Sequence, residues 1–283
     1  MNKTKIGISS ESTIDLQKDL LEKYKITTLP YTIIVKDQEF KDGEIDNQKL
    51  FDLVGKKGEL PRTQAINEYN YEEYFTKLLE THEHVIHFCL SSKLSSSFNN
   101  AASAAAKLNN VFVIDTEALS TGIALLAINA CNLRDQGKSA QEIYDSSLAR
   151  RPYVQTSFIL DKVDYLHKGG RCSLLTLIAA NILGIKPQIL MKEGKLEPAK
   201  KYRGKYDKAV LKYVNDTLEQ FNTPDKSLVF ITRTTATDEL LDQVEAILKD
   251  HGFQSVCRTV AGCTISSHCG PNTLGILYIN DGK

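Results

Sequence analysis

Short apolar runs and helix-spaced apolar residues alternate along this chain, and the alternation predicts its elements. Lys5 to Ser9 starts as a strand, and Leu16 to Tyr24, LQKDLLEKY, has helical spacing. Tyr31 to Val35 and Glu39-Phe40 flank Lys36-Asp37-Gln38 as a hairpin would. Helices are expected over Asn47 to Lys57 and Tyr71 to Glu80, a strand over Val85 to Leu90, and an alanine-rich helix over Ser96 to Leu108. A strand at Val111 to Asp115 follows, then helices over Leu119 to Gln136 and Ala140 to Arg150. Strands alternating with helices predict a largely parallel sheet covered on both sides.

Pro152 marks a domain boundary, giving an N-terminal α/β domain over 1–152 and a C-terminal α/β domain over 153–283. The second half opens on Asp161 to Lys168, a short helix closed by Gly169, since glycine tolerates the backbone that ends helices. Arg171 follows the Gly169-Gly170 turn, Ser173 stands at an N-cap position, and Leu174 to Leu183 is apolar on nearly every face. A helix apolar all round is buried. A strand near Ile189, a turn at Glu193-Gly194-Lys195 and extended chain to Arg203 come next. A helix over Tyr206 to Phe221, a strand over Leu228 to Thr232, a helix over Asp238 to Lys249, and strands over Phe253 to Val260 and Leu274 to Asn280 complete the chain.

Composition narrows the function. Lys+Arg and Asp+Glu number 35 each, so the net charge is zero and no basic footprint for nucleic acid exists. No apolar run reaches the roughly 18 residues of a membrane helix. The opening MNKTKIGISSEST lacks a signal-peptide apolar region, so a cytoplasmic protein with six reduced cysteines is expected. No cysteine pair has the spacing of a zinc knuckle, and Cys257, Cys263 and Cys269 fall on what read as different elements. Phosphate loops, G-x-G-x-x-G and G-x-S-x-G are absent from the sequence. In HEHVIH, His82 and His84 share one strand face and His87 takes the other, so no shared metal is expected.

Five stretches carry candidate chemistry. Ser95, Ser96 and Ser97 in SSKLSSS sit between a strand and a helix N-terminus, where free backbone N–H groups favour an anion. Serines also cap helices, and both readings are open at this point. Arg171 on its glycine turn beside a buried helix suits a ligand with a charged head and an apolar body. Thr63 in LPRTQ lies in a loop between helices, and Arg203 and His268 each read as sitting at a turn beside glycine. Arginine suits a carboxylate or phosphate, and histidine can position a proton.

The stretches SSESTIDL, LPRTQ, SSKLSSSF, VIDTEALSTG, YLHKGGRCS with LGIKP, LEPAKKYRG and SSHCGPNTLG, in this order, resemble the DegV family of bacterial fatty-acid-binding proteins. The resemblance implies a two-domain α/β protein that buries one long-chain fatty acid between its domains. It further implies that a separate ATP-dependent fatty acid kinase subunit phosphorylates the bound carboxylate, toward phospholipid synthesis. This chain would be a carrier, with no cofactor, metal or catalytic residue of its own, and transient contact with a membrane is compatible with that role. The carboxylate would be held by Thr63 and by Ser95 with Ser96 and Ser97, with Arg171, Arg203 and His268 near the head group or facing the partner. This sequence departs from the family pattern at Glu11, where aspartate is usual, at Ser96, where glycine is usual, at Gln64-Ala65 after the threonine, and at Asn272, where glycine is usual. Burying about fourteen methylenes would contribute on the order of 11 kcal/mol before association costs, provided that the carboxylate stays hydrogen-bonded. An alternative of another class is a self-contained hydrolase of acyl esters with Ser95 as nucleophile and His268 as base.

Overall fold

The apolar runs become three sheets in the computed structural model, which describes residues 4–55, 58–172 and 184–282. The strands are β1 (Thr4–Glu11), β2 (Ile26–Leu29), β3 (Thr32–Val35), β4 (Gln38–Lys41), β5 (Arg62–Gln64), β6 (His82–Cys89), β7 (Val111–Asp115), β8 (Val154–Leu160), β9 (Ile185–Lys192), β10 (Lys195–Arg203), β11 (Val229–Arg233), β12 (Val256–Val260) and β13 (Thr273–Ile279). The helices are α1 (Lys18–Tyr24), α2 (Asn47–Val54), α3 (Glu68–Thr81), α4 (Ser97–Ala106), α5 (Thr121–Asp135), α6 (Ala140–Arg150), α7 (Asp164–Lys168), α8 (Tyr206–Gln220), α9 (Asp238–Asp250) and α10 (Cys263–Cys269). The all-apolar helix expected at Leu174 to Leu183 lies outside the described residues.

The first sheet is wholly parallel, in the order β2-β1-β6-β7. Its inner strands are buried over most of their length, as parallel strands between helices must be. Helices α3 and α4 pack on each other, as do α5 and α6. The second sheet is mixed, in the order β10-β9-β8-β13-β11-β12, with only β11 and β12 parallel. All strands of the first sheet precede residue 116 and all strands of the second follow residue 153. One continuous core joins the two, running from Ile8 and Phe88 through Leu126 on α5 to Phe158 and Leu277.

The expected hairpin is β3-β4, and it gains a partner: β5 pairs antiparallel with β3, matching Ile33 with Thr63. Thr63 therefore sits on a short strand, not in a free loop. Two further strands escape the hydrophobic pattern. In β2, ITTL, only Ile26 is buried, and threonines break the apolar run. In β8, VQTSFIL, six of seven residues are buried, yet Gln155, Thr156 and Ser157 read as polar chain. Two of the three are tied inside the core: Gln155 Nε2 donates to Ser157 Oγ, and Ser157 Oγ bonds Tyr213 Oη. CTISSHC is a helix, α10, so His268 lies on a helix, and Cys263 and Cys269 open and close that same element. It is bracketed by Gly262 and Gly270 and too short to show a period.

Arg150 at the end of α6 ties the halves together. Its guanidinium donates to Asp225 at 2.5 Å, to Asp281 at 2.9 Å and to Asn129 at 2.9 Å. The Arg150 and Asp281 side chains are 18% and 4% exposed, so the pair is largely out of water. Arg150→Ala is expected to cost about 3 kcal/mol, because it leaves buried carboxylates without their cation. Urea unfolding measures it, and a loss under about 0.5 kcal/mol would mark the pair as surface-like.

Candidate functional site

Residues from both halves surround a cavity of about 420 Å3. Its buried apolar walls include Leu90, Leu119, Leu166 and Leu196. Hydroxyls also line it, among them those of Tyr31, Thr63, Ser95 and Ser96, and Lys93 and Arg171 contribute. A smaller, mostly apolar cavity of about 30 Å3 shares Leu119, Ile265 and Cys269 with it, so the two adjoin.

The serine loop is held from beneath. Glu11, at the end of β1, is fully buried, and its carboxylate accepts from the Leu90 N–H at 2.7 Å and the Tyr71 hydroxyl at 2.6 Å. Leu90 is where β6 gives way to the loop. Tyr31 enters from the start of β3, and its hydroxyl contacts Ser97 Oγ at 2.7 Å and Ser95 Oγ at 3.2 Å. Ser95 Oγ accepts from the first N–H of α4, that of Ser97, at 3.2 Å while half buried at the cavity wall; the N-cap residue, Ser96, makes no side-chain cap bond. The capping and ligand readings thus describe the same hydroxyl. Ser97 is fully buried and accepts from the Ile66 N–H at 3.3 Å. Asn100 Nδ2 donates to Ile66 O at 2.7 Å, and these two bonds hold the chain after β5 against α4. Ser97 is a positioning group, whereas Ser96 is exposed and lines the cavity.

Helix α10 is held by carboxylates from the other half. The Gly262 N–H donates to Asp15 and the Cys263 N–H to Asp42, each at 2.8 Å. Anions at a helix N-terminus are favoured by its free N–H groups and dipole. A Cβ on Gly262 would lie 3.0 Å from both Asp42 oxygens and would press on that carboxylate. So anchored, α10 brings His268 Nε2 to 2.8 Å from Thr63 Oγ1. His268 is packed against Gly169, where a Cβ would come within 2.6 Å of Nδ1. Burial, and then the Arg171 cation, lower its pKa to about 4, so it is neutral at pH 7. Arg171 is exposed and donates to Gly169 O at 2.7 Å.

The structure therefore gathers Thr63, Ser95, Ser96, Arg171 and His268 around one cavity, with Ser97 directly behind. It does not bring Arg203 there: that side chain is exposed at the end of β10, paired in register with Ile185, and is absent from the described lining. Sequence reasoning missed Tyr31, Asp15, Asp42 and the role of Glu11. Asp15 carried one local signal, since a left-handed backbone is tolerated by aspartate, and its φ is 54°. Asn272, where glycine is usual, also has a positive φ, 52°, a conformation asparagine accepts. Glu11, His87 and Cys89 bring ligand-type atoms within 4.8 Å of one another. The carboxylate is already occupied by Leu90 and Tyr71, so the group reads as a polar patch in the core.

The model of the DegV family, described as "Uncharacterised protein, DegV family", matches residues 5–281, and the chain belongs to that family. It is similar to the DegV domain-containing protein TTE1491 of Caldanaerobacter subterraneus, at 29% identity over 97% of this chain and 98% of that one. In fold it is similar to a DegV family protein from Thermus thermophilus described for its fatty acid binding, with a TM-score of 0.90, 23% identity, and coverage of 98% of this chain and 99% of that one. A stearic acid-binding protein from Eubacterium ventriosum superposes with a TM-score of 0.84 at 23% identity, covering 99% of this chain and 98% of that one. These likenesses establish the α/β fold with one parallel and one mixed sheet.

Burial raises the Glu11 pKa from 4.5 to about 7. The folded protein thus keeps this proton over a range in which the unfolded chain has lost it. Its contribution makes stability fall as pH rises from about 4.5 to about 7 and level off above. Chemical denaturation of the wild type and of Glu11→Gln across that range should show the wild type losing ground with pH relative to the variant. Parallel curves would contradict the assignment.

Proposed function

We propose that this protein binds a long-chain fatty acid in the cavity between its two halves, 1–152 and 153–283, and presents the carboxylate to a separate ATP-dependent kinase. The observation that carries the reading is the mixed lining of the cavity: buried leucines from several elements together with the hydroxyls of Thr63, Ser95 and Ser96. Each buried methylene contributes roughly 0.8 kcal/mol, so the apolar walls supply most of the affinity. The hydroxyls keep the carboxylate hydrogen-bonded, without which its desolvation would offset that gain. Exposed Ser96, Lys93 and Arg171 mark the rim where a partner would meet the head group. The nucleotide and its phosphate-binding loop belong to that partner, and the reaction would take place in the cytoplasm. Among the described residues no helix is long and apolar enough to cross a membrane.

The hydrolase alternative fares worse on geometry. A serine nucleophile needs a base within hydrogen-bond reach. His268 Nε2 is engaged by Thr63, its Nδ1 has no acid among the described residues to orient it, and Ser95 Oγ is bonded to Tyr31 and Ser97.

Organic extraction of the purified protein followed by mass spectrometry should yield about one equivalent of fatty acid, and the stripped protein should take one up again. A hydrogen bond to a charged group is worth about 1.5–3 kcal/mol, so Ser95→Ala and Thr63→Val should each weaken binding by roughly ten- to a hundredfold. The double variant should be non-additive, because both hydroxyls meet one carboxylate. Lipid-free protein that also fails to take up added acid would overturn the reading, as would hydrolysis of acyl esters abolished by Ser95→Ala.

A further inference from the structure

We propose that Tyr31 is a positioning residue that makes the head-group site select an acid: by occupying Ser97, it leaves the Ser95 proton free for the ligand. The inference rests on the carrier reading above and names the group that sets its preference. Three donors among the described residues converge on Ser97 Oγ: the Tyr31 hydroxyl at 2.7 Å, the Ser95 hydroxyl at 3.1 Å and the Ile66 N–H at 3.3 Å. A serine oxygen has two lone pairs, so one of these donors is in excess. The Tyr31 hydroxyl also lies 3.2 Å from Ser95 Oγ, but its single proton follows the shorter contact to Ser97.

The surroundings decide which donor gives way. Tyr31 is fixed at both backbone groups: its N–H donates to Ser12 Oγ at 3.1 Å, and its carbonyl accepts from the Asp42 N–H at 2.9 Å. Ser12 Oγ in turn donates at 2.9 Å to Asp42, the carboxylate that also holds the Cys263 N–H of α10. Burial, and then Glu11, raise the Tyr31 pKa well above the usual phenol range, so Tyr31 keeps its proton. Ile66 donates from the backbone, and its carbonyl is tied to Asn100. The Ser95 hydroxyl is the one that can turn away, and the carrier reading sets it against the carboxylate. Its oxygen already accepts from the Ser97 N–H, so what Ser95 has to give is its proton. A carboxylate only accepts, and hydrogen bonds to a charged acceptor are the stronger ones. A long-chain alcohol gains less from the same donor.

Equilibrium binding titrations of the delipidated full chain with tetradecanoic acid and with tetradecan-1-ol test this. The wild type should prefer the acid. Tyr31→Phe keeps the ring in place and lets Ser95 donate to Ser97 instead, so no buried donor is orphaned. The preference should then fall about tenfold, through weaker binding of the acid. In a Ser95→Ala background, adding Tyr31→Phe should leave the preference unmoved, because Tyr31 acts through Ser95. An unchanged preference in Tyr31→Phe would overturn the inference and leave the carrier reading standing. So would equal weakening of acid and alcohol, the mark of a merely structural role, or an effect of Tyr31→Phe that persists beside Ser95→Ala. Failure of the wild type to bind the acid would overturn both readings.

Discussion

The hydrogen bond between Thr63 and His268 is the contact on which the site depends. It spans 205 residues and joins a three-residue edge strand of the small antiparallel sheet to a seven-residue helix of the C-terminal half. Neither element is long enough to hold its place alone. Strand β5 is fixed by pairing with β3 and by the bonds from Ser97 and Asn100 to Ile66. Helix α10 is fixed by Asp15 and Asp42 at its N-terminus and by Gly169 against His268. The serine loop is set by Glu11 below and Tyr31 beside it. Thr63, His268 and the serine loop are thus each backed by a polar contact from an element distant in sequence.

That arrangement suits a ligand that is mostly hydrocarbon. The described polar lining consists of hydroxyls, Asn99 and a histidine that burial keeps neutral, and its cations, Lys93 and Arg171, are exposed. A neutral, hydrogen-bonding end wall accepts a carboxylate without burying a second charge, whose desolvation would be costly. The same economy explains the buried Glu11, which burial pushes toward its neutral form while its hydrogen bonds fix the loop above.

Much of this was legible in the sequence where one element carries its own signal. Helix α6 reads from Ala140 to Arg150 as found, because Ser139 and Glu142 form a capping box. Motifs shared with the DegV family located Thr63, Ser95, Arg171 and His268, which the fold does bring together. What escaped was whatever depends on a distant partner. Strand β8 hides behind Gln155, Thr156 and Ser157, which are polar in sequence and core in space. Tyr31 looks like the first residue of an ordinary hairpin, and Asp15 and Asp42 like surface carboxylates, until α10 and the serine loop arrive from elsewhere in the chain. Arg203 is the converse case: its motif is basic and adjacent to glycine, and the strand that carries it ends in solvent, outside the described cavity lining.

The central claim is that a carboxylate sits between Thr63 and Ser95. The most direct measurement is an NMR spectrum of bound fatty acid isotopically labelled at its carboxyl carbon, recorded for the wild type and for single variants. The account predicts one bound carboxyl resonance, distinct from free acid, that shifts in Thr63→Val and in Ser95→Ala and is unmoved in Arg203→Ala. A bound carboxyl that titrates like free acid, or that responds to Arg203→Ala and to neither hydroxyl, would contradict it.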